Sequence, residues 1–120
     1  MILIEAKESS PYIMVNAEAN LLVIKGNSFM PNPSQFYHIL NSWVNDYKIK
    51  EEGFLKIEVT MGYYNTSSIQ IMNLLFKTLN LNCKGKLKLT FFIDKEEEEL
   101  EDTAISLTFN TGIEPAIEFY

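Results

Sequence analysis

The sequence predicts one α/β domain over residues 1–120, a mixed β-sheet with about three helices in the order β-β-α-β-α-β-α-β. Three observations predict it. Two short β-prone runs near the N-terminus flank a polar turn; two stretches carry apolar residues at helical spacing; and a strand–helix–strand succession in the second half suits a parallel pair with a right-handed crossover.

The elements follow in chain order. Tyr12-Ile13-Met14-Val15 and Leu21-Leu22-Val23-Ile24, joined by residues 16–20, read as a hairpin. Asn32-Pro33-Ser34 then supplies capping side chains and a proline suited to a first helical turn. Phe36, Ile39, Leu40, Trp43, Val44 and Tyr47 follow at helical spacing and predict an amphipathic helix. After Gly53, Phe54-Leu55-Lys56-Ile57-Glu58-Val59 alternates like a strand. Asn65, Thr66, Ser67 and Ser68 announce a second helix with Ile69, Met72, Leu75, Phe76 and Leu79 on one face. Gly85 precedes a further strand, Leu87 to Ile93. Glu96 to about Phe109 reads as an acidic helix, although Ile105 to Phe109 also alternates like a strand, and Ala116 to Phe119 is expected as a short terminal strand.

Composition narrows the function. With 47% apolar and 12% aromatic residues the chain can fill a core, which argues against intrinsic disorder. No apolar run reaches the roughly 18 residues of a membrane helix and the N-terminus lacks a signal-peptide layout, so no membrane association and a cytoplasmic location are expected. The lone Cys83 fits a reducing compartment and reads as a buried bystander. All ten basic residues are lysine, and the absence of the bidentate arginine argues against a nucleic-acid partner. Seven of the sixteen acids fall between Asp94 and Asp102, so this stretch carries the net charge of −6.

Catalytic chemistry finds little support. His38 lies in the first helix pattern with no nucleophile placed beside it, and reads as a partly exposed structural histidine. No glycine-rich phosphate loop or metal-ligand spacing is present, so no catalytic residue, cofactor or metal is expected. Consecutive glutamates on a helix diverge, which favours a solvated or partner-facing surface over an ion site.

The segment Gly62-Tyr63-Tyr64-Asn65-Thr66-Ser67-Ser68 differs in kind. It places hydroxyls and a carboxamide where a helix begins, beside free backbone N–H groups and the positive end of the macrodipole. Capping alone would need only one of these side chains, and periodicity does not separate a capping threonine from a phosphorylated one.

Tyr64-Asn65-Thr66-Ser67-Ser68 followed by an apolar helix resembles the hallmark of the SiaC family of bacterial regulatory phosphoproteins. Other pieces agree in order: Ser10-Pro11-Tyr12-Ile13, Ile24-Lys25-Gly26-Asn27-Ser28-Phe29, Phe36-Tyr37 with Trp43, and the acidic run. One departure is Met30-Pro31-Asn32-Pro33, where the family usually has a proline followed by an acid. The resemblance implies a STAS-like fold, similar to anti-sigma-factor antagonists, and a non-enzymatic protein phosphorylated at Thr66 with Asn65, Ser67 and Ser68 as neighbours. It also implies protein partners: a Ser/Thr kinase of the anti-sigma type, a metal-dependent Ser/Thr phosphatase and a diguanylate cyclase, linking the chain to cyclic-di-GMP and biofilm formation. Tyr63 and Tyr64 are the expected partner surface, because aromatic residues beside a switch often anchor interfaces. The competing expectation is a module that binds a small molecule or nucleotide at the helix N-terminus without covalent modification. An enzyme using carboxylates near Tyr63 and Tyr64 ranks last, since no two carboxylates pair there.

Overall fold

Alternating burial along the strands places one row of side chains in the core and the next outside, so the sheet forms by stacking like rows. The computed structural model describes residues 1–49 and 53–120. Its strands are β1 (Ile2–Ile4), β2 (Tyr12–Asn16), β3 (Leu21–Ser28), β4 (Leu55–Tyr64), β5 (Leu87–Ile93) and β6 (Ala116–Phe119). They form one sheet in sequence order, antiparallel from β1 to β3 and parallel from β3 to β6. Ile13, Ile24, Val59, Phe91 and Ile117 face one another across it, as do Val15, Leu22, Ile57 and Leu89. Except for half-buried Ile117, these residues are buried. Each fully buried side chain of this size stabilises the fold by about 1.5–3 kcal/mol.

Parallel neighbours need crossovers, and helices supply them. The helices are α1 (Pro33–Phe36), α2 (His38–Asp46), α3 (Thr66–Asn82) and α4 (Leu100–Thr108). Helix α3 is central and packs against the other three. It buries Met72, Leu75, Phe76 and Leu79 together with Ser68. Two of its asparagines also cap its neighbours. The Asn73 side-chain amide lies 3.2, 3.2 and 2.9 Å from the carbonyls of Ser106, Leu107 and Phe109, and that of Asn82 donates to Val44 O at 2.7 Å. These contacts add donors at the C-terminal ends of α4 and α2, where helix carbonyls run short of intrahelical partners; Ser106 O also accepts from Phe109 N–H at 3.4 Å.

The order is thus β-β-β-α-α-β-α-β-α-β, and three expectations are corrected. Ile2–Ile4 adds an edge strand that three residues were too few to announce. The first expected helix is two: Tyr37, at φ −84° and ψ 3°, ends α1 by bonding its N–H to Pro33 O, and Ile39, expected inward, is 55% exposed. The acidic helix begins at Leu100, not Glu96. Before it, Asp94 Oδ1 accepts from Glu96 N–H at 2.9 Å and its carbonyl accepts from Glu97 N–H at 2.8 Å, so the adjacent glutamates sit in turns. Like charges crowded in one helical turn destabilise it, which favours this arrangement.

Candidate functional site

Strand β4 runs on to Tyr64, so Gly62, Tyr63 and Tyr64 belong to the sheet and only Asn65 separates it from α3. Near its end the β3–β4 register shifts: Gly26 faces Met61, but Ser28 faces Tyr64. Two residues on β3 therefore match three on β4, and the extra residue inverts the alternation. Met61 is inward; a regular strand would send Tyr63 inward as well. Instead Tyr64 is buried and Tyr63 is 61% exposed. The bulge depends on close backbone approach. A Cβ on Gly62 would lie 2.5 Å from Asn27 Oδ1 and 2.6–2.7 Å from the carbonyl of Gly26, which itself has φ +111°. The Asn27 Oδ1 atom in turn accepts from Tyr63 N–H at 2.9 Å.

Tyr64 is therefore withdrawn from the expected partner surface. Its ring lies inside, and its hydroxyl is the one buried side-chain polar atom among the described residues without a hydrogen-bond partner. Burial drives its pKa well above the ordinary tyrosine value, and neighbouring Tyr37 adds to the effect. Tyr63 remains on the surface, where its ring meets that of Phe29 at 5.9 Å with a 60° tilt. Phe29, 36% exposed, was not singled out from the sequence although it lies within one of the matching segments.

The four side chains of Asn65–Ser68 separate into distinct roles. Asn65 is the N-cap: extended at φ −79° and ψ 168°, it accepts from Ser68 N–H through Oδ1 at 2.9 Å. Ser68 points inward and is fully buried; its hydroxyl accepts from that of Ser28 at 2.8 Å. Thr66 and Ser67 are exposed on the first turn, and neither side chain is used in capping. One residue caps and one packs, so two hydroxyls stay available at a helix N-terminus whose first amides face outward.

Ser28 and Tyr37 went unnoticed as members of this neighbourhood because they approach it from 40 and 31 positions away along the chain. The Ser28 and Tyr37 hydroxyls lie 2.7 Å apart, and burial pushes the Tyr37 pKa up to about 12, the Ser28 contact opposing it. Both residues lie in segments matched to the family, the only sequence signal that could have marked them. His38 opens α2 as an exposed residue and lines, with Ser34, Asn41, Ile71 and Leu74, a groove of about 310 Å³ between α2 and α3. Cys83 is buried, and burial raises its thiol pKa. Among the described residues, no three His, Cys, Asp or Glu side chains gather as a metal site, and no helix is long and apolar enough to cross a membrane.

The site thus consists of an α/β sheet with helical crossovers and two exposed hydroxyls, Thr66 and Ser67, left uncommitted at the start of the central helix. The chain belongs to the SiaC family of regulatory phosphoproteins, matching it over residues 4–115. Its fold resembles a chain in the crystal structure of the diguanylate cyclase SiaD in complex with its activator SiaC from Pseudomonas aeruginosa, with TM-score 0.88, 22% identity and coverage of 100% of both chains. It also resembles apo-SiaC from the same organism, with TM-score 0.79, 20% identity and coverage of 98% of this chain and 97% of the other. A further SiaC structure gives TM-score 0.78 at 22% identity, covering 99% and 98%. No curated protein sequence matches the chain.

Proposed function

We propose that this chain is a non-enzymatic cytoplasmic switch, set by reversible phosphorylation of Thr66 and read by a protein partner. The supporting observation is the division of labour at the start of α3, where Asn65 caps, Ser68 packs and Thr66 stays exposed and unbonded. In the transfer, Thr66 Oγ1 bonds to the γ-phosphorus of ATP while the bond from that phosphorus to the β–γ bridging oxygen breaks. ADP leaves, and the hydroxyl proton passes to a base on a Ser/Thr kinase of the anti-sigma type. A metal-dependent Ser/Thr phosphatase hydrolyses the ester and restores the hydroxyl.

A phosphate at Thr66 adds roughly −1.5 to −2 charges beside outward-facing amides, so the fold tolerates it while the surface changes sign of attraction. The effect reinforces an existing asymmetry. Parallel strands β4 and β5 end at the same edge of the sheet, so α3 begins on the edge where the acidic turn after Ile93 also lies. A partner that accepts the neutral hydroxyl beside Tyr63 and Phe29 then meets a dianion on an already negative edge.

The output partner in this reading is a diguanylate cyclase, bound in the unphosphorylated state, which connects the switch to cyclic-di-GMP and biofilm formation. The similarity to SiaC in its complex with SiaD supports this choice. Titration calorimetry with the cognate cyclase tests it: the unphosphorylated chain binds, and the Thr66-phosphorylated chain and Tyr63→Ala bind at least about tenfold more weakly, as loss of an aromatic anchor implies. Equal affinity of all three forms would remove both the switch and the surface. Saturable binding of a nucleotide or small anion by the isolated protein, with no effect of phosphate on any partner, would instead favour a ligand-binding module.

A further inference from the structure

Ser28 holds the start of α3 at two points. Its carbonyl accepts from Asn65 N–H at 3.0 Å, and its hydroxyl donates to Ser68 Oγ at 2.8 Å. Asn65 is the cap and Ser68 the third helical residue, so the two contacts bracket Thr66 and Ser67. A hydroxyl has one proton to give. If Ser28 spends it on Ser68, the 2.7 Å contact with Tyr37 must be donated by Tyr37, and Ser68 is left to donate towards Met30 Sδ at 3.9 Å. Ser28 Oγ also lies 3.8 Å from Met30 Sδ, a weaker and more distant acceptor than the Ser68 oxygen, so the favoured proton order is Tyr37 to Ser28 to Ser68 to Met30. All four residues are buried, Tyr37 to 1% exposure and both serines to 0%.

We propose that Ser28 and Tyr37 are positioning residues, which fix the helical phase of the first turn of α3 so that Thr66 rather than Ser67 is presented for phosphoryl transfer. The inference rests on Thr66 being the phosphosite. Both hydroxyls are exposed and one residue apart, about 100° around the helix axis, so chemistry alone does not choose between them. Phase does. Rotation of the turn requires Ser68 to leave its buried partner, and a buried hydroxyl without a partner is costly. Tyr37 contributes from the α1–α2 junction and is among the residues that border the groove between α2 and α3, so it joins the interior of the switch to that groove.

The test uses Tyr37→Phe, which removes only a hydroxyl, with Ser28→Ala as a second variant should the first fail to fold. Two readouts are taken on the full chain. The first is amide hydrogen exchange at Asn65, Ser68 and Ile69, whose acceptors are Ser28 O, Asn65 Oδ1 and Asn65 O. Exchange at these three should accelerate about fivefold, the change one hydrogen bond implies, while β5 amides stay as in wild type. The second is phosphorylation by a cognate Ser/Thr kinase with ATP. Here kcat for Thr66 should fall about fivefold with KM for the protein retained, and fragment mass spectra should show phosphate appearing on Ser67. Wild-type exchange at the three amides together with wild-type kcat and phosphate on Thr66 alone would overturn the proposal. If wild type takes no phosphate from an active kinase, the phosphosite reading fails on its own. The selection of Thr66 over Ser67 then falls with it, and exchange still decides whether Ser28 and Tyr37 anchor the turn.

Discussion

The Asn65 Oδ1 atom accepts from the Ser68 backbone N–H at 2.9 Å, and this single bond settles which of the four candidate residues, Asn65 to Ser68, caps the N-terminus of α3. An extended backbone at Asn65 is what an N-cap requires, and the bond satisfies one of the donors a helix start leaves orphaned. Thr66 is thereby released from a structural duty.

Asn65→Ala should lower unfolding free energy by about 1 kcal/mol, while Asn65→Asp should stay close to wild type because the carboxylate still accepts and its charge suits the helix N-terminus. Urea denaturation of the three proteins checks this. Equal stability of wild type and the alanine variant would mean that another residue caps.

Gly62→Ala should be among the most damaging small changes in the chain. Two of the atoms its Cβ would meet, at 2.6 and 2.7 Å, are backbone atoms of Gly26 and do not yield as a side chain would. The expected loss is about 1–3 kcal/mol. Thermal unfolding should show a lower midpoint and, because the bulge sets which tyrosine faces inward, altered near-ultraviolet circular dichroism.

Tyr64→Phe should hold or raise stability by up to about 1 kcal/mol, because it removes a buried hydroxyl without a partner and keeps the ring. A loss of more than about 1 kcal/mol in denaturant titration would contradict this and show that the phenol is bonded in solution.

Alkaline pH should destabilise the protein through Tyr37. Its folded pKa of about 12 stands above the ordinary value of 10.0, chiefly because burial disfavours the phenolate. The unfolded chain therefore loses its proton first, so the stabilisation is fully present below about pH 10 and is lost as pH rises towards 12. At about 1.4 kcal/mol per pKa unit the loss is roughly 3 kcal/mol. Tyr64 and Cys83, both raised by burial, act in the same direction. Stability measured from pH 8 to 12 should fall steeply in wild type and less steeply in Tyr37→Phe.

Local pattern made much of this fold legible. The β2–β3 hairpin, strand β5, β6 and the buried face of α3 follow from alternation and helical spacing, because each is decided by near neighbours in the chain. What depends on distant partners did not show. The bulge that hides Tyr64 needs Gly26 and Asn27 from another strand, and the hydroxyl chain behind Thr66 needs Ser28 and Tyr37. The break at Tyr37 lies inside a sound helical pattern, and the turn before α4 arises from charges that a periodicity reading treats as helix formers. At the site, residue types showed that Asn65 to Ser68 begin a helix; only the geometry assigned the cap to Asn65 and the buried contact to Ser68.

The most direct test is intact-mass and fragment mass spectrometry after incubation of wild type and Thr66→Ala with the cognate kinase and ATP. The expected result is one phosphate on wild type, mapped to Thr66, and none on the alanine variant. An unmodified wild type with a demonstrably active kinase, or equal labelling of both proteins, would contradict the assignment of Thr66 as the switch.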